Sequence, residues 1–448
     1  MSVAEHPVST ETKLKKIMEL SKSAPDVKFK NLIHLVNKES LISCFHELDG
    51  KKAVGADGVD KDTYGRDLEK NVEDLTQRMR KMAYRPGPVR TVLIPKEGKP
   101  GATRPLGIGN LEDKLVQSMF RKILESVYEP KFLDCSFGFR PAKGCHDAIK
   151  ELLNCLMHNP VSAVIDVDLK NFFGTINHKK LIEIVSETIS DEVFLRYIVR
   201  MFKGGVLTDG ELTISDEGVP QGSPCSPVLA NVMAHHVIDC WFENVVKPHS
   251  FGRVSLVRYA DDLVICVNDV RDGERILKAL GLRLNKFDLQ LNEDKTKIVR
   301  FSKSEAQKGI EQETFDFLGF TFYIGKSRKG RAIPKLSTSG KRARSKLAKV
   351  KDWCVKVTNR YRLNDIWRIF CAKIRGHINY YAVSFNIDKV IRFVRRATMI
   401  LFKWLNRRSQ KKSISREAFE KFMQANPLPA VTVKVPLFAP YNKMNAIS

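Results

Sequence analysis

Acidic residues are nearly missing from one end of this 448-residue chain. Residues 321–448 hold five Asp and Glu against 30 Lys and Arg, while residues 1–320 hold 46 of each kind. The whole net charge of +25 therefore lies in the last 128 residues. A neutral body with a cationic end argues against a simple metabolic enzyme and points to a polyanionic partner, nucleic acid first. Cysteine pairing is missing too. The nine cysteines (44, 135, 145, 155, 225, 240, 266, 354 and 371) never fall at Cys-x-x-Cys spacing, which speaks against a zinc ribbon or a redox pair. An odd, dispersed set fits reduced thiols inside a cell. No stretch approaches the ~18 apolar residues of a membrane span. The N-terminus has no apolar core of a signal peptide, and the first arginine is Arg66, against an Arg-rich transit peptide. There is no internal repeat and no low-complexity tract. Gly-x-Ser-x-Gly and a Walker lysine are both absent, so hydrolase and P-loop chemistry have no support. The His235–His236 pair has no second cluster to make it a metal site.

What is present reads as a mixed α/β body followed by helices. Residues 1–30 are a Lys/Ser-rich helical lead-in. Helical spacing of apolar residues marks 31–48, 62–83, 111–128, 178–203 and 272–287. Strands are expected at Val89–Pro95, Leu106–Ile108, Ser162–Leu169, Val257–Val267 and Phe315–Tyr323, with a basic hairpin tip between Glu97 and Thr103. Three basic amphipathic helices follow at Lys341–Thr358, Leu363–Ser384 and Asp388–Asn406. Residues 407–448, with Pro427, Pro429, Pro436 and Pro440, read as more loop than core.

Two segments carry candidate chemistry. Arg258-Tyr-Ala-Asp-Asp-Leu-Val-Ile265 sets two adjacent carboxylates in a turn between strand halves, costly unless a cation neutralises them. Ala163-Val-Ile-Asp-Val-Asp-Leu169 puts Asp166 and Asp168 on one strand face, and only one of them need be catalytic. Three carboxylates from two strands can hold two divalent ions about 3.5–4 Å apart, the constellation of phosphodiester formation by in-line displacement. A single carboxylate-bound Mg²⁺ is the weaker alternative. Between these strands, Gly218-Val-Pro-Gln-Gly-Ser-Pro-Cys-Ser-Pro-Val-Leu-Ala-Asn231 fixes a backbone shape without offering a nucleophile.

In order along the chain stand Gly55-Ala-Asp-Gly-Val-Asp60, Ile94-Pro-Lys96, Arg104-Pro-Leu-Gly-Ile108, Ser136-Phe-Gly-Phe-Arg-Pro141, Asp168-Leu-Lys-Asn-Phe-Phe173, Pro220-Gln-Gly222, Tyr259-Ala-Asp-Asp262, Leu291-Asn-Glu-Asp-Lys-Thr-Lys297, Phe317-Leu-Gly-Phe320 and Gly376-His-Ile-Asn-Tyr-Tyr381. This ordered series, over residues 45–325 and then the Gly376 segment, resembles the reverse transcriptases encoded by bacterial group II introns. The resemblance implies an α/β plus α fold, a right-hand polymerase. Residues 1–30 would be the lead-in, 31–160 the fingers, 161–325 the palm, 326–408 a helical basic thumb of the maturase X type, and 409–448 a C-terminal tail. It implies RNA-directed DNA polymerase activity in the bacterial cytoplasm, with an RNA template, a DNA or RNA primer and dNTPs, and no membrane partner. Inside a group II intron the protein would also act as a maturase on structured intron RNA. The alternatives are a free-standing relative in phage defence or DNA repair, and a splicing factor that binds RNA without polymerising.

By the same resemblance, Asp168, Asp261 and Asp262 bind two Mg²⁺, with Mn²⁺ as a substitute, and Asp166 is supporting or structural. Phe173 is the steric gate against a 2′-hydroxyl. Gln221 and Gly222 line the nucleotide pocket, Arg90, Lys96 and Arg104 clamp the triphosphate, and Lys295 is a general acid toward pyrophosphate. Nucleic-acid contacts are expected from the thumb at Lys341, Arg342, Arg344, Lys346, Arg375, Arg392, Arg395 and Arg396. Three departures stand out: Gly174 in place of the usual Asp, Ser223 in place of a second glycine, and a loop from Lys96 to Arg104 two residues longer than usual. The last cysteine and histidine are Cys371 and His377, so no zinc-dependent endonuclease domain is expected.

Overall fold

The computed structural model describes residues 9–95, 101, 103–208, 211–219, 222–407 and 414–438. Helix α1 (Thr10–Ser23) is capped by Ser9, whose hydroxyl accepts from the Thr12 amide. Next come α2 (Lys38–Glu47), α3 (Lys61–Gly65) and α4 (Leu68–Arg80). The helix expected over 62–83 is thus two, with Asp67 as the cap of the second.

Strands β1 (Val89–Pro95) and β2 (Thr103–Ile108) form the expected hairpin, with Arg90 opposite Ile108 and Ile94 opposite Arg104. Helices α5 (Leu111–Tyr128) and α6 (Cys145–His158) lead to β3 (Ala163–Asp168), α7 (Phe172–Thr175), α8 (His178–Thr188) and α9 (Glu192–Phe202). The single helix expected at 178–203 breaks because Asp191 caps α9. One carboxylate oxygen accepts from the Phe194 amide, the other from the distant Ile33 amide. Strands β4 (Val206–Thr208) and β5 (Glu211–Thr213) extend the hairpin into a sheet of order β2-β1-β4-β5. Helix α10 (Ser226–Ala234) runs on through π-helical turns at His235–Asp239 and Phe242–Val246.

Strands β6 (Val254–Tyr259) and β7 (Asp262–Val267), helix α11 (Val270–Asn285) and strand β8 (Lys297–Arg300) complete a central sheet of order β6-β7-β3-β8. Then come α12 (Lys303–Gln307) and a sheet of β9 (Phe315–Phe317), β10 (Phe320–Lys326) and β11 (Ala332–Thr338). Helices α13 (Gly340–Val357), α14 (Leu363–Tyr381), α15 (Ile387–Leu405) and α16 (Arg416–Ala425) close the described chain.

The central sheet is buried on both faces. Ile165, Val167 and Ile265 join the core built on α5 and α8–α11, whereas Val164, Val264 and Cys266 join the one built on α6, β9–β11 and α13–α16. Strand alternation then puts Asp166 and Asp168 on the side facing the C-terminal unit. Within the stretch expected as loop, Arg416–Ala425 forms α16, while residues 426–438 follow without a helix or strand. Phe419 of α16 and Leu437 are buried, and the Trp367 indole donates to the Asn426 carbonyl at 3.1 Å. The apolar face of α16 finds rings on α14 and α15, Trp367 and Phe402, and all four prolines of the tail follow its last residue. Among the described residues no helix is long and apolar enough to cross a membrane.

Candidate functional site

Strand register brings the carboxylates together. Asp168 closes β3 and lies directly opposite Asp262, the first residue of β7, with Asp261 one step back in the turn. Asp166, Asp168, Asp262 and Asp316 line a cleft of about 320 Å³ together with Lys295, Lys341 and Arg342. Desolvation and, after it, the charges of Asp261, Asp168 and Asp166 push Asp262 up, to about 7. Asp262 opens onto the cleft, so the crowding of negative charge carries this shift more securely than burial does. Asp261 is also raised, by desolvation and then by Asp168. Burial raises Asp166 to about 6, with Asp316 and Asp168 adding to it against Lys297. Asp316, whose carboxylate accepts from Ser339 Oγ at 3.0 Å, was not anticipated from sequence.

The segment after Leu291 wraps Asp168. Lys295 Nζ pairs with Asp168 Oδ2, Asn292 Nδ2 donates to the same oxygen at 2.7 Å, and the Asp168 amide donates to Thr296 Oγ1 at 3.3 Å. Among the described residues no three acidic, histidine or cysteine side chains already close on one point. The donor set still suits a hard divalent cation: several carboxylates, raised by one another, with an ammonium already neutralising one of them.

The turn between β6 and β7 is held from beneath. Arg258 is fully buried and forms a two-pronged pair with Asp239, at 2.7 and 2.6 Å. It also donates to Asn231 Oδ1, Ser136 Oγ and the carbonyl of Ala260. Ala260 has φ +56, a left-handed conformation costly for a residue with a Cβ. Gly138 explains the crowding on the other side: a Cβ there would lie 2.4 Å from the Ala260 nitrogen. The π-helical turn after Ala234 presents Asp239 to this network.

Phe173 stands on α7 with its carbonyl accepting from Val219 at 2.8 Å, which ties it to the Gly218 loop. Gly222, at φ +113, crosses β2 so closely that a Cβ would meet the Gly107 carbonyl at 2.2 Å. Pro220, Gln221 and Lys96 lie outside the described residues. Two departures now have a setting. The Asn171 amide fills the space of a Cβ at Gly174, and Ser223 donates to the largely buried Gln117 of α5 at 2.9 Å. Arg90 and Arg104 share one face of the β1–β2 hairpin by register. Arg90 donates to the Val54 carbonyl at 2.8 Å, while its buried Nε has no partner among the described residues. Asn110, missed from sequence, pins the Gly55 turn by accepting from the Ala56 amide at 2.9 Å.

The basic residues of the C-terminal unit divide into two groups. Lys341 and Arg342, in the first turn of α13, face the carboxylate cleft. Arg344, Arg375, Arg392, Arg395 and Arg396 are exposed on α13, α14 and α15. Lys346 lies 4.9 Å over the Tyr381 ring, so it packs as well as charges. Tyr380 donates to the Leu318 carbonyl at 2.7 Å, locking α14 onto the strand pair beside the cleft.

Residues 94–322, just over half of the chain, match the family described as reverse transcriptase (RNA-dependent DNA polymerase). The chain belongs to the reverse transcriptase family. Every carboxylate of the cleft falls inside the matched span, and the basic helices α13–α15 lie beyond it. Among relatives of this reverse transcriptase chain, the protein YkfC of Escherichia coli is 28% identical over 351 residues, covering 70% of this chain and 89% of the relative. The group II intron-encoded protein LtrA of Lactococcus lactis is 30% identical over 287 residues, covering 64% and 45%. An uncharacterised 91 kDa protein in the cob intron of Schizosaccharomyces pombe is 31% identical over 236 residues, covering 52% and 29%. The chain thus spans most of the first relative and less than half of the other two.

Proposed function

We propose that the chain is an RNA-directed DNA polymerase, extending a primer 3′-hydroxyl with dNTPs on an RNA template. The observation that carries this reading is the register pairing of Asp168 with Asp262, flanked by Asp261, at the mouth of a cleft whose other wall is cationic. In this reading residues 31–160 are the fingers, 161–325 the palm and 326–408 the thumb. Asp168, Asp261 and Asp262 would hold two Mg²⁺ or Mn²⁺. Ions bound there supply a lowered pKa for the attacking hydroxyl and neutralisation at the leaving pyrophosphate.

The remaining roles belong to the chain itself. Lys295 holds its ammonium beside Asp168 and delivers a proton to the departing pyrophosphate. Phe173 closes the space a 2′-hydroxyl would need, with Gln221 and Gly222 along the nucleotide. Arg90, Lys96 and Arg104 neutralise the triphosphate. Lys341 and Arg342 reach the strand end nearest the cleft, and Arg344, Lys346, Arg375, Arg392, Arg395 and Arg396 hold phosphates farther along the duplex.

We further propose that the protein is a maturase acting on group II intron RNA in the bacterial cytoplasm. The names of the intron-encoded relatives support this, as do the exposed cations of α13–α15. The polymerase reading is tested by extension of oligo(dT) on poly(rA). Divalent-dependent DNA synthesis is expected, and no product at any Mg²⁺ or Mn²⁺ level would sink it. For the maturase role, the protein should lower the Mg²⁺ needed for splicing of its own flanking intron; an unaltered requirement would reject it.

A further inference from the structure

The loop Ser136–Pro141 is clamped on both sides of one exposed ring. The Phe137 amide donates to the Arg258 carbonyl at 2.9 Å, and the Gly138 carbonyl accepts from Asn231 Nδ2 at 2.7 Å. Arg140, buried, grips the Glu129 carboxylate at 2.8–3.1 Å and donates to the Leu133 and Ser136 carbonyls. Between these anchors Phe139 is held at φ +55, a region a residue with a Cβ enters only when its surroundings impose it. The residue is 50% exposed, against the usual preference of phenylalanine for burial. The flanking residues therefore fix an aromatic side chain in solvent at the expense of local backbone comfort.

The ring meets the candidate gate. Phe139 stands edge-on to Phe173, with centroids 6.2 Å apart and planes at 89°. Phe173 also meets the buried Phe172, at 5.8 Å and 79°. Phe173 is thus held by a core ring and an exposed one, and its backbone is tied down by Val219. A ring that discriminates sugars by contact must resist being pushed aside, and Phe139 braces this one from the solvent side. We infer that Phe139 is a positioning residue for sugar selection: it holds Phe173 in place by edge-to-face contact, so that a 2′-hydroxyl meets a fixed wall. The inference rests on the gate assignment proposed above. It adds a second residue, 34 positions upstream of the gate, to the specificity of the nucleotide pocket.

The test is single-nucleotide incorporation by the full chain on an RNA template, with dNTP and the matching rNTP. The measured quantity is the ratio of kcat/KM for the two sugars. Phe173→Val should lower the ratio most. Phe139→Ala should lower it by roughly two- to tenfold, the scale of one edge-to-face ring pair. Phe139→Tyr should restore it, and the double variant should fall no further than Phe173→Val alone, since the two rings act as one unit. A lowered ratio in Phe173→Val with no change in Phe139→Ala or Phe139→Leu overturns this inference and leaves the gate standing. No change in Phe173→Val overturns the gate and this inference with it. If Phe139→Ala depresses dNTP and rNTP use equally, or acts only through KM for primer–template, the ring is a structural or nucleic-acid contact and the inference fails.

Discussion

Arg258 has five N–H donors and spends all five inside the protein, on Asp239, Asn231, Ser136 and the Ala260 carbonyl. A guanidinium so placed does no chemistry, but it fixes the backbone that presents Asp261 and Asp262. Arg258→Met would leave the buried Asp239 without its guanidinium, which costs about 3–5 kcal/mol. Urea unfolding should show that loss, Arg258→Lys should not recover it because an ammonium lacks the planar fork, and a cost under about 1 kcal/mol would reject the role. Sequence displays this arginine beside the Asp pair but hides its task, since its side-chain partners are 19, 27 and 122 residues away. Asp239 has a second cationic neighbour. Desolvation pulls the His235 imidazole down, yet Asp239 and then Cys240 pull it further up, to about 9. A raised histidine contributes stability that is full below its ordinary value near 6.5 and is lost as pH rises through about 9. The urea midpoint of the wild type should therefore exceed that of His235→Gln at pH 6, and the gap should narrow by pH 9.5. A gap that widens with pH would refute the pairing.

Elements were legible where one residue period dominated. Helix α5 spans the expected 111–128, β1 the expected Val89–Pro95 while β2 starts three residues before the expected Leu106, and the three basic helices α13–α15 lie within a few residues of their expected limits. Helices α14 and α15 each bury one face at helical spacing, so the local pattern and the tertiary demand agree. The reading failed where a distant group decided the outcome. Asp191 splits α8 from α9 because it also serves the Ile33 amide, and α16 forms ahead of the prolines because Trp367 and Phe402 receive its Phe419 ring. In the site, Asp168, Asp261 and Asp262 were visible as residue types at strand spacing. Asp316, Asn292 and Asn110 were not, since each acts through a contact that only folding creates. The exposed arginines of α13–α15 carry a prediction at this scale. Replacing Arg344, Arg375 or Arg392 by Gln should reduce the slope of log affinity for primer–template against log salt by roughly one for each phosphate no longer neutralised. Fluorescence anisotropy at several salt concentrations reads it, and parallel slopes for wild type and variants would remove these residues from the interface.

At the scale of the molecule, the charge map and the fold agree. The 320 residues that sum to zero contain the acidic cleft, and the 128 that sum to +25 supply its opposite wall and the helices behind it. Cations at the start of α13 face the carboxylates directly, while those on α14 and α15 lie farther out. Chemistry and grip are thus carried by different parts of the chain, and they should separate under mutation. The most direct test is the paired measurement of extension rate and primer–template affinity for Asp261→Ala with Asp262→Ala. The account predicts that DNA synthesis on an RNA template is abolished while affinity stays within a few-fold of wild type. Synthesis that persists in this variant would contradict it.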